Sequence, residues 1–189
     1  MRVTRAVLKE TVTPRDLERA AGANGWSLED VIMSTPDSPF EKIWLASDGR
    51  TRIHYIEDAL ISVRYVAVPG EDPGPVMDEV NSSLDTYDRE ELGRMFDAAE
   101  DRGHMVRAVY HVGAAAPPEF DAELFAYFER AFGSADSEVR RAAVFATAYA
   151  PWPEFRERLQ RLASDDPEPA VRDYAARMLE SHVKHAWGR

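Results

Sequence analysis

The side chains best suited to chemistry in this 189-residue chain are five histidines and a set of adjacent carboxylates, because cysteine is absent. His182 and His185 stand three apart, one helical turn, with Glu180 beside them as a third donor. Zinc needs ligands that converge in this way. Two histidines near the end of a chain, however, read as a frayed and solvated helix, so no metal is expected. His104 and His111 are seven apart, two turns along one helix face, and are expected beside a helical surface. His54 sits in a strand pattern among apolar neighbours and reads as a hydrogen-bonded sheet histidine rather than a general base.

The carboxylate pairs Asp78-Glu79, Glu90-Glu91, Glu100-Asp101 and Asp165-Asp166 could divide acid and base roles if their surroundings separated their pKa values. Adjacent residues on a helix do not share a face, so these pairs read as solvated charges and as helix N-terminal carboxylates favoured by the dipole. The chain contains no Gly-x-Ser-x-Gly elbow, no glycine-rich phosphate loop and no Asp-x-Asp-x-Asp-Gly calcium order. The expectation is a protein with no catalytic residue, metal or cofactor.

Charge is more informative than any motif. The chain holds 23 Lys+Arg against 34 Asp+Glu, a formal net charge of −11, which disfavours generic phosphate-backbone binding. Residues 71–101 hold eleven acidic residues against Arg89 and Arg94, or 2 − 11 = −9. Asp78, Glu79, Asp85, Asp88, Glu90 and Glu91 therefore form the candidate docking surface, and complementarity would select a basic protein partner. No window reaches the roughly 18 apolar residues of a membrane span. The apolar Ala6-Val7-Leu8 is cut off by Lys9-Glu10, too short for a signal-peptide core, so cytoplasmic placement is expected.

The elements that position these residues divide at Val68-Pro69-Gly70-Glu71-Asp72-Pro73-Gly74-Pro75, which can be neither continuous helix nor central strand. The expected organisation is α+β: a small antiparallel sheet with one or two helices over 1–70, an acidic linker with a first helix over 71–87, and helical repeats over 88–189. In the first part, a strand is expected around Arg2 to Val12. Thr13-Pro14 then reads as an N-cap and first helical residue, with Gly22 to Gly25 ending the helix. Glu41–Ser47 and Arg50–Glu57 flank Asp48-Gly49, a type I′ hairpin signal that sets Trp44 opposite Ile53 and Lys42 opposite Tyr55. Leu60 to Val68 alternates as a strand. Beyond the boundary, helical spacing recurs near 76–84, 88–101, 103–114, 119–132, 136–149, 153–163 and 168–185, with short connections that make antiparallel neighbours.

Three of these helices carry a repeat. Val139-Arg140 recurs as Val171-Arg172, 171 − 139 = 32 positions later, and is preceded by Val106-Arg107, 139 − 106 = 33 positions earlier. Asp136 and Asp166 precede the two later copies; the first has Gly103-His104 instead. An arginine at that place can reach an aspartate or carbonyl of the neighbouring turn, so Arg107, Asp136, Arg140, Asp166 and Arg172 are expected to form a ladder between stacked hairpins. The alanines Ala142, Ala143, Ala146, Ala175 and Ala176 would let the helices approach closely.

These residues resemble the HEAT-repeat family, in particular its short bacterial HEAT-like members, over about 88–185 as three A/B helix pairs. The resemblance implies an array whose B helices line one face, displaying parts of His104–Gly113, Arg141–Tyr149 and Asp173–Ser181. The sheet would cover one end of the array and Trp187 the other. It also implies a non-enzymatic protein-interaction module, an adaptor or an immunity-type inhibitor of a basic protein. Two alternatives stand beside it. One is HEAT-like nucleic-acid or base recognition, as in DNA glycosylases of this build, through Arg107, Arg140, Arg141, Arg172 and Arg177. The other is the handling of a small molecule or prosthetic group in a pocket lined by Tyr149, Trp152, Phe155 and Tyr174.

Overall fold

The computed structural model describes the chain apart from Met1, Asp37, Pro151 and residues 186–189, and apart from the side chains of residues 183–185. It is an α+β protein whose internal contacts divide it into Met1–Arg89 and Glu90–Arg189.

The first unit is a five-stranded antiparallel sheet of order β1-β5-β4-β3-β2, comprising β1 (Val3–Val7), β2 (Ser27–Ile32), β3 (Phe40–Leu45), β4 (Arg52–Asp58) and β5 (Val63–Pro69). Two helices accompany it, α1 (Pro14–Asn24) and α2 (Gly74–Ser83). Helix α1 starts where Thr13-Pro14 places it. The Thr13 amide donates to the Asp16 carboxylate at 2.8 Å, and the Thr13 hydroxyl and amide hold that carboxyl below its ordinary range. It ends at Gly25, whose φ of 70° is left-handed.

Trp44 pairs with Ile53 and Lys42 with Tyr55, as expected. The turn between them is not type I′, because only Gly49 (φ 67°) has positive φ. Instead the Gly49 amide bonds the Ala46 carbonyl at 3.0 Å, and the Asp48 side chain accepts from the Arg50 and Thr51 amides at 2.8 Å each. The register survives because this four-residue loop is centred on the same two positions. Strand β5 begins at Val63 rather than Leu60, since Ser62 takes a left-handed φ of 54°.

Two features of the first unit depart from expectation. Strand β2 has no counterpart in the sequence reading: it is an exposed edge strand with a bulge between Leu28 and Asp30 that breaks the period-2 pattern. Residues 71–87 are not a linker. Val76, Met77, Val80 and Leu84 join Ala6, Leu8, Trp44, Ile53, Tyr55, Val66 and Val68 in one buried core with Leu17, Ala20 and Ala21 of α1. The strand side of this segment is then zipped onto the end of β1, with Lys9 N–H to Asp85 O at 2.9 Å and Tyr87 N–H to Val7 O at 2.8 Å. The proline-glycine run is a turn inside the unit.

The second unit is built from α3 (Arg89–Asp97), α4 (Arg102–Ala115), α5 (Ala122–Phe132), α6 (Ser137–Ala146), α7 (Phe155–Asp165) and α8 (Pro169–His185), with one 3-10 turn at Thr147–Tyr149. Helix α6 packs against α4 and α8, forming one row. On the other row, Phe96 of α3 meets Tyr127 of α5, and Phe128 of α5 meets Phe155 of α7, at centroid distances of 5.0 and 4.8 Å. Ala142, Ala143, Ala146 and Ala175 are buried between helices, whereas Ala176 is exposed. Trp152 and Phe155 are fully buried, and the Trp152 indole N–H donates to the Pro117 carbonyl at 3.0 Å.

Candidate interaction surface

The arginines after Val139 and Val171 share one grip on the chain, and Arg140 adds a second. Arg140, at the fourth position of α6, donates Nε to Asp166 Oδ2 at 2.7 Å and Nη2 to Oδ1 at 2.8 Å, and this pair is buried. Its Nη1 grips the Ser134 and Ala135 carbonyls, six and five residues back. Arg172 grips the Asp166 and Pro167 carbonyls at the same offsets. Asp136 is met by Arg102, Nε to Oδ2 at 2.6 Å, at a position where the repeat pattern suggests Arg107. The reason is phase: α4 begins at Arg102, four residues before Val106, whereas α6 begins two residues before Val139. Asp136 also caps α6 by accepting from the Glu138 amide at 2.9 Å, and Asp166 accepts from the Glu168 amide at 2.9 Å in the turn that leads into α8.

The six candidate docking carboxylates are not one free surface. Glu79 accepts from the Trp26 indole at 2.8 Å, and Asp85 pairs with Lys9 at 3.0 Å, both within the first unit. Glu90 pairs with Arg94 one turn along α3. Asp78 and Asp88 are exposed, and Glu91 is half-buried.

The histidines divide by burial. His104 is exposed and pairs with Asp101 at 3.2 Å, while His111, on the same helix, is buried and shares a 2.9 Å hydrogen bond with the Arg107 carbonyl through Nδ1. His54 shares a hydrogen bond with Glu41 through Nδ1, and its Nε2 is buried without a partner, so no hydroxyl stands ready there for activation. The His185 side chain lies outside the described residues, as does Trp187, expected to close the end of the array. His182 is not solvated as expected: it is buried, its Nε2 lying 3.0 Å from the Thr147 hydroxyl. That hydroxyl donates to the Val144 carbonyl at 2.7 Å and so accepts from a neutral imidazole. Among the described residues no group of three metal-ligating side chains occurs, and no helix is long and apolar enough to cross a membrane.

Burial pushes the His182 imidazole down to about 4. An unfolded histidine titrates near about 6.5, so between the two values the unfolded chain binds a proton that the folded chain refuses. Stability is therefore lost as pH falls through about 6.5 toward the folded value. Urea denaturation from pH 7.5 to 5 should show wild type losing about 2 kcal/mol more than His182→Gln, which keeps the donor and removes the titration. Parallel pH curves for the two proteins would refute the account.

Half-buried aromatic side chains line the α4–α6–α8 row. Tyr110 of α4 meets Phe145 of α6 at 6.0 Å, and Phe145 stacks with Tyr174 of α8 at 6.3 Å and 18°. All three are half-buried, and Tyr149 flanks Phe145 at 6.1 Å. The four aromatics suggested for one pocket are thus split, with Tyr149 and Tyr174 on this face and Trp152 and Phe155 in the core. Arg141 is half-exposed and pairs with Glu138 at 2.8 Å, and the Arg177 guanidinium lies 5.6 Å from the Tyr174 ring centroid. Arg140 is paired with Asp166 and Arg102 with Asp136, so the remaining charges of the three helices are Arg107, Arg141, Arg172 and Arg177 against Glu138, Asp173 and Glu180, or 4 − 3 = +1 before Lys184 is counted. Compared with known family models, curated proteins and solved structures, the chain matches none.

Proposed function

We propose that the chain is a non-enzymatic protein-interaction module, HEAT-like in its second unit, that engages a protein partner through the α4–α6–α8 row. One observation carries this reading: Tyr110, Phe145 and Tyr174 form a half-exposed aromatic line across three successive helices, flanked by outward-facing Arg141 and Arg177. Aromatic and arginine side chains are the types enriched where protein interfaces concentrate their energy. The reading moves the contact away from the acidic segment, where Glu79 and Asp85 are committed to the first unit's own structure. An adaptor or an immunity-type inhibitor is the concrete form it takes.

A photo-crosslinking phenylalanine analogue placed at Phe145 in the host cell should yield a discrete protein adduct. The same analogue at Gln160, exposed on α7 of the other row, should not. A nucleic-acid adduct at Phe145, or equal protein adducts at both positions, would overturn the proposal.

A further inference from the structure

We infer that the open edge of β2 pairs with an extended, basic segment of a partner protein, which joins the sheet as a sixth strand and sets a lysine or arginine against Asp30. Strand β2 ends the sheet order, and all six of its residues are exposed. At the opposite edge no residue of β1 is exposed, and the 85–87 segment closes its end. Leu28, Val31, Ile32 and Met33 are four of the six exposed large apolar side chains among the described residues. Leu28 lies across from Trp44 and Val31 from Lys42, on the sheet face of the Trp44 core, whereas Ile32 lies across from Glu41 on the other face. An added strand would find apolar contact on both of its sides while its backbone meets the edge's own donors and acceptors. The bulge between Leu28 and Asp30 leaves regular backbone only beyond it, so a segment of about five residues suffices.

Charge selects the occupant. Residues 27–45 hold Lys42 against Glu29, Asp30, Asp37 and Glu41, or 1 − 4 = −3. The cations at hand are already engaged: Arg52 lies 2.8 Å from Glu29, and Lys42 lies 3.4 Å from Glu18 of α1. With those two pairs set off, Asp30, Asp37 and Glu41 remain, and Glu41 shares a hydrogen bond with His54. The balance stays acidic, in a unit that carries 10 − 16 = −6 over residues 1–89. A second copy would bring like charge to like, whereas a basic strand meets its complement. Asp30 is also a latch. Its carboxylate accepts the Val31 amide at 2.8 Å, which withholds that donor from a strand with nothing to offer Asp30. A cation on the incoming strand draws the carboxylate to itself and releases the amide for a backbone carbonyl.

The test is fluorescence anisotropy of the full chain with three labelled peptides: alternating valine-lysine, alternating valine-glutamate, and oligolysine. The valine-lysine peptide should bind most tightly and weaken as salt rises. Val31→Pro, which an edge strand tolerates but which has no N–H, should reduce that affinity at least about tenfold. Asp30→Lys should reduce it as far and raise the affinity for valine-glutamate, a reversal that loss of structure cannot produce. Glu71→Lys, the same charge change at an exposed position before α2, should leave both affinities within about twofold. Equal binding of valine-glutamate and valine-lysine by wild type, oligolysine binding as tight as valine-lysine, or an unchanged affinity in Val31→Pro would overturn the inference. So would a wild-type dimer in sedimentation that Val31→Pro dissolves, since the edge would then belong to a second copy. The α4–α6–α8 row shares no residue with β2, so failure here leaves the Phe145 reading intact, and failure there leaves this one.

Discussion

Replacing Asp166 by alanine is expected to lower the unfolding free energy by about 3–5 kcal/mol, the cost of leaving a buried charge without its partner. The side chains of Arg140 and Asp166 are 9% and 1% exposed, and two parallel hydrogen bonds join them. Removing the carboxylate strands the guanidinium and also frees the Glu168 amide, a turn hydrogen bond whose loss adds about 1 kcal/mol. The Arg102–Asp136 pair makes the contrast. Arg102 is 64% exposed, so Arg102→Ala should cost below about 1 kcal/mol. Urea denaturation of the two variants side by side decides the matter; equal losses would mean that Arg140 and Asp166 do not join the hairpins as described. The same pair makes the chain acid-sensitive. Hydrogen bonds from Arg140 hold the Asp166 carboxyl below its ordinary value. The stability it contributes is complete above the unfolded value of about 3.9 and is lost as pH falls through the lower folded one.

Gly113→Leu is expected to cost about 3 kcal/mol, the upper end of the overpacking range. A Cβ at Gly113 would lie 2.8 Å from Ala146 Cβ, 3.1 Å from its carbonyl oxygen and 3.3 Å from its Cα. Most of what it meets is backbone, so no flexible end can swing away and α4 must separate from α6. Gly113→Ala should cost less, because alanine recovers about 1 kcal/mol of helix propensity. Gly22→Ala in α1 supplies the opposite sign: nothing lies within 4 Å of its added Cβ. That variant should be more stable than wild type by up to about 1 kcal/mol. Thermal unfolding of the three variants checks the ordering, and an undiminished melting temperature for Gly113→Leu would show that the helices do not meet there.

Much of this fold is written in local signals. Thr13-Pro14 and Gly25 bound α1, and apolar spacing locates the seven helices that follow the sheet. The centre of the 46–51 turn sets the β3–β4 register whatever turn type closes it. Strand β2 is silent because its bulge at Glu29 breaks the alternation and no face of it is buried. Residues 71–87 mislead for a different reason: prolines and glycines forbid helix locally but say nothing of which core the next helix joins. The Arg140–Asp166 pair follows from the repeat. Arg102 does not, since two extra residues at the start of α4 shift the phase against Val106-Arg107. The burial of His182 depends on which side of the last helix meets Thr147, a choice that tertiary packing makes. The outward aromatic line has the same origin, for Tyr110, Phe145 and Tyr174 are ordinary helix residues until three helices lie in one row.

Strand β2 has a consequence for how concentrated this chain can become. It leaves Leu28 57% and Met33 69% exposed at the rim of a sheet, the composition from which chains template one another into fibrils. Its defence is small: the bulge at Glu29, and the Asp30 carboxylate, which accepts the Val31 amide at 2.8 Å and so occupies a backbone donor. One acidic side chain and one extra residue thus act as gatekeepers against self-propagating assembly.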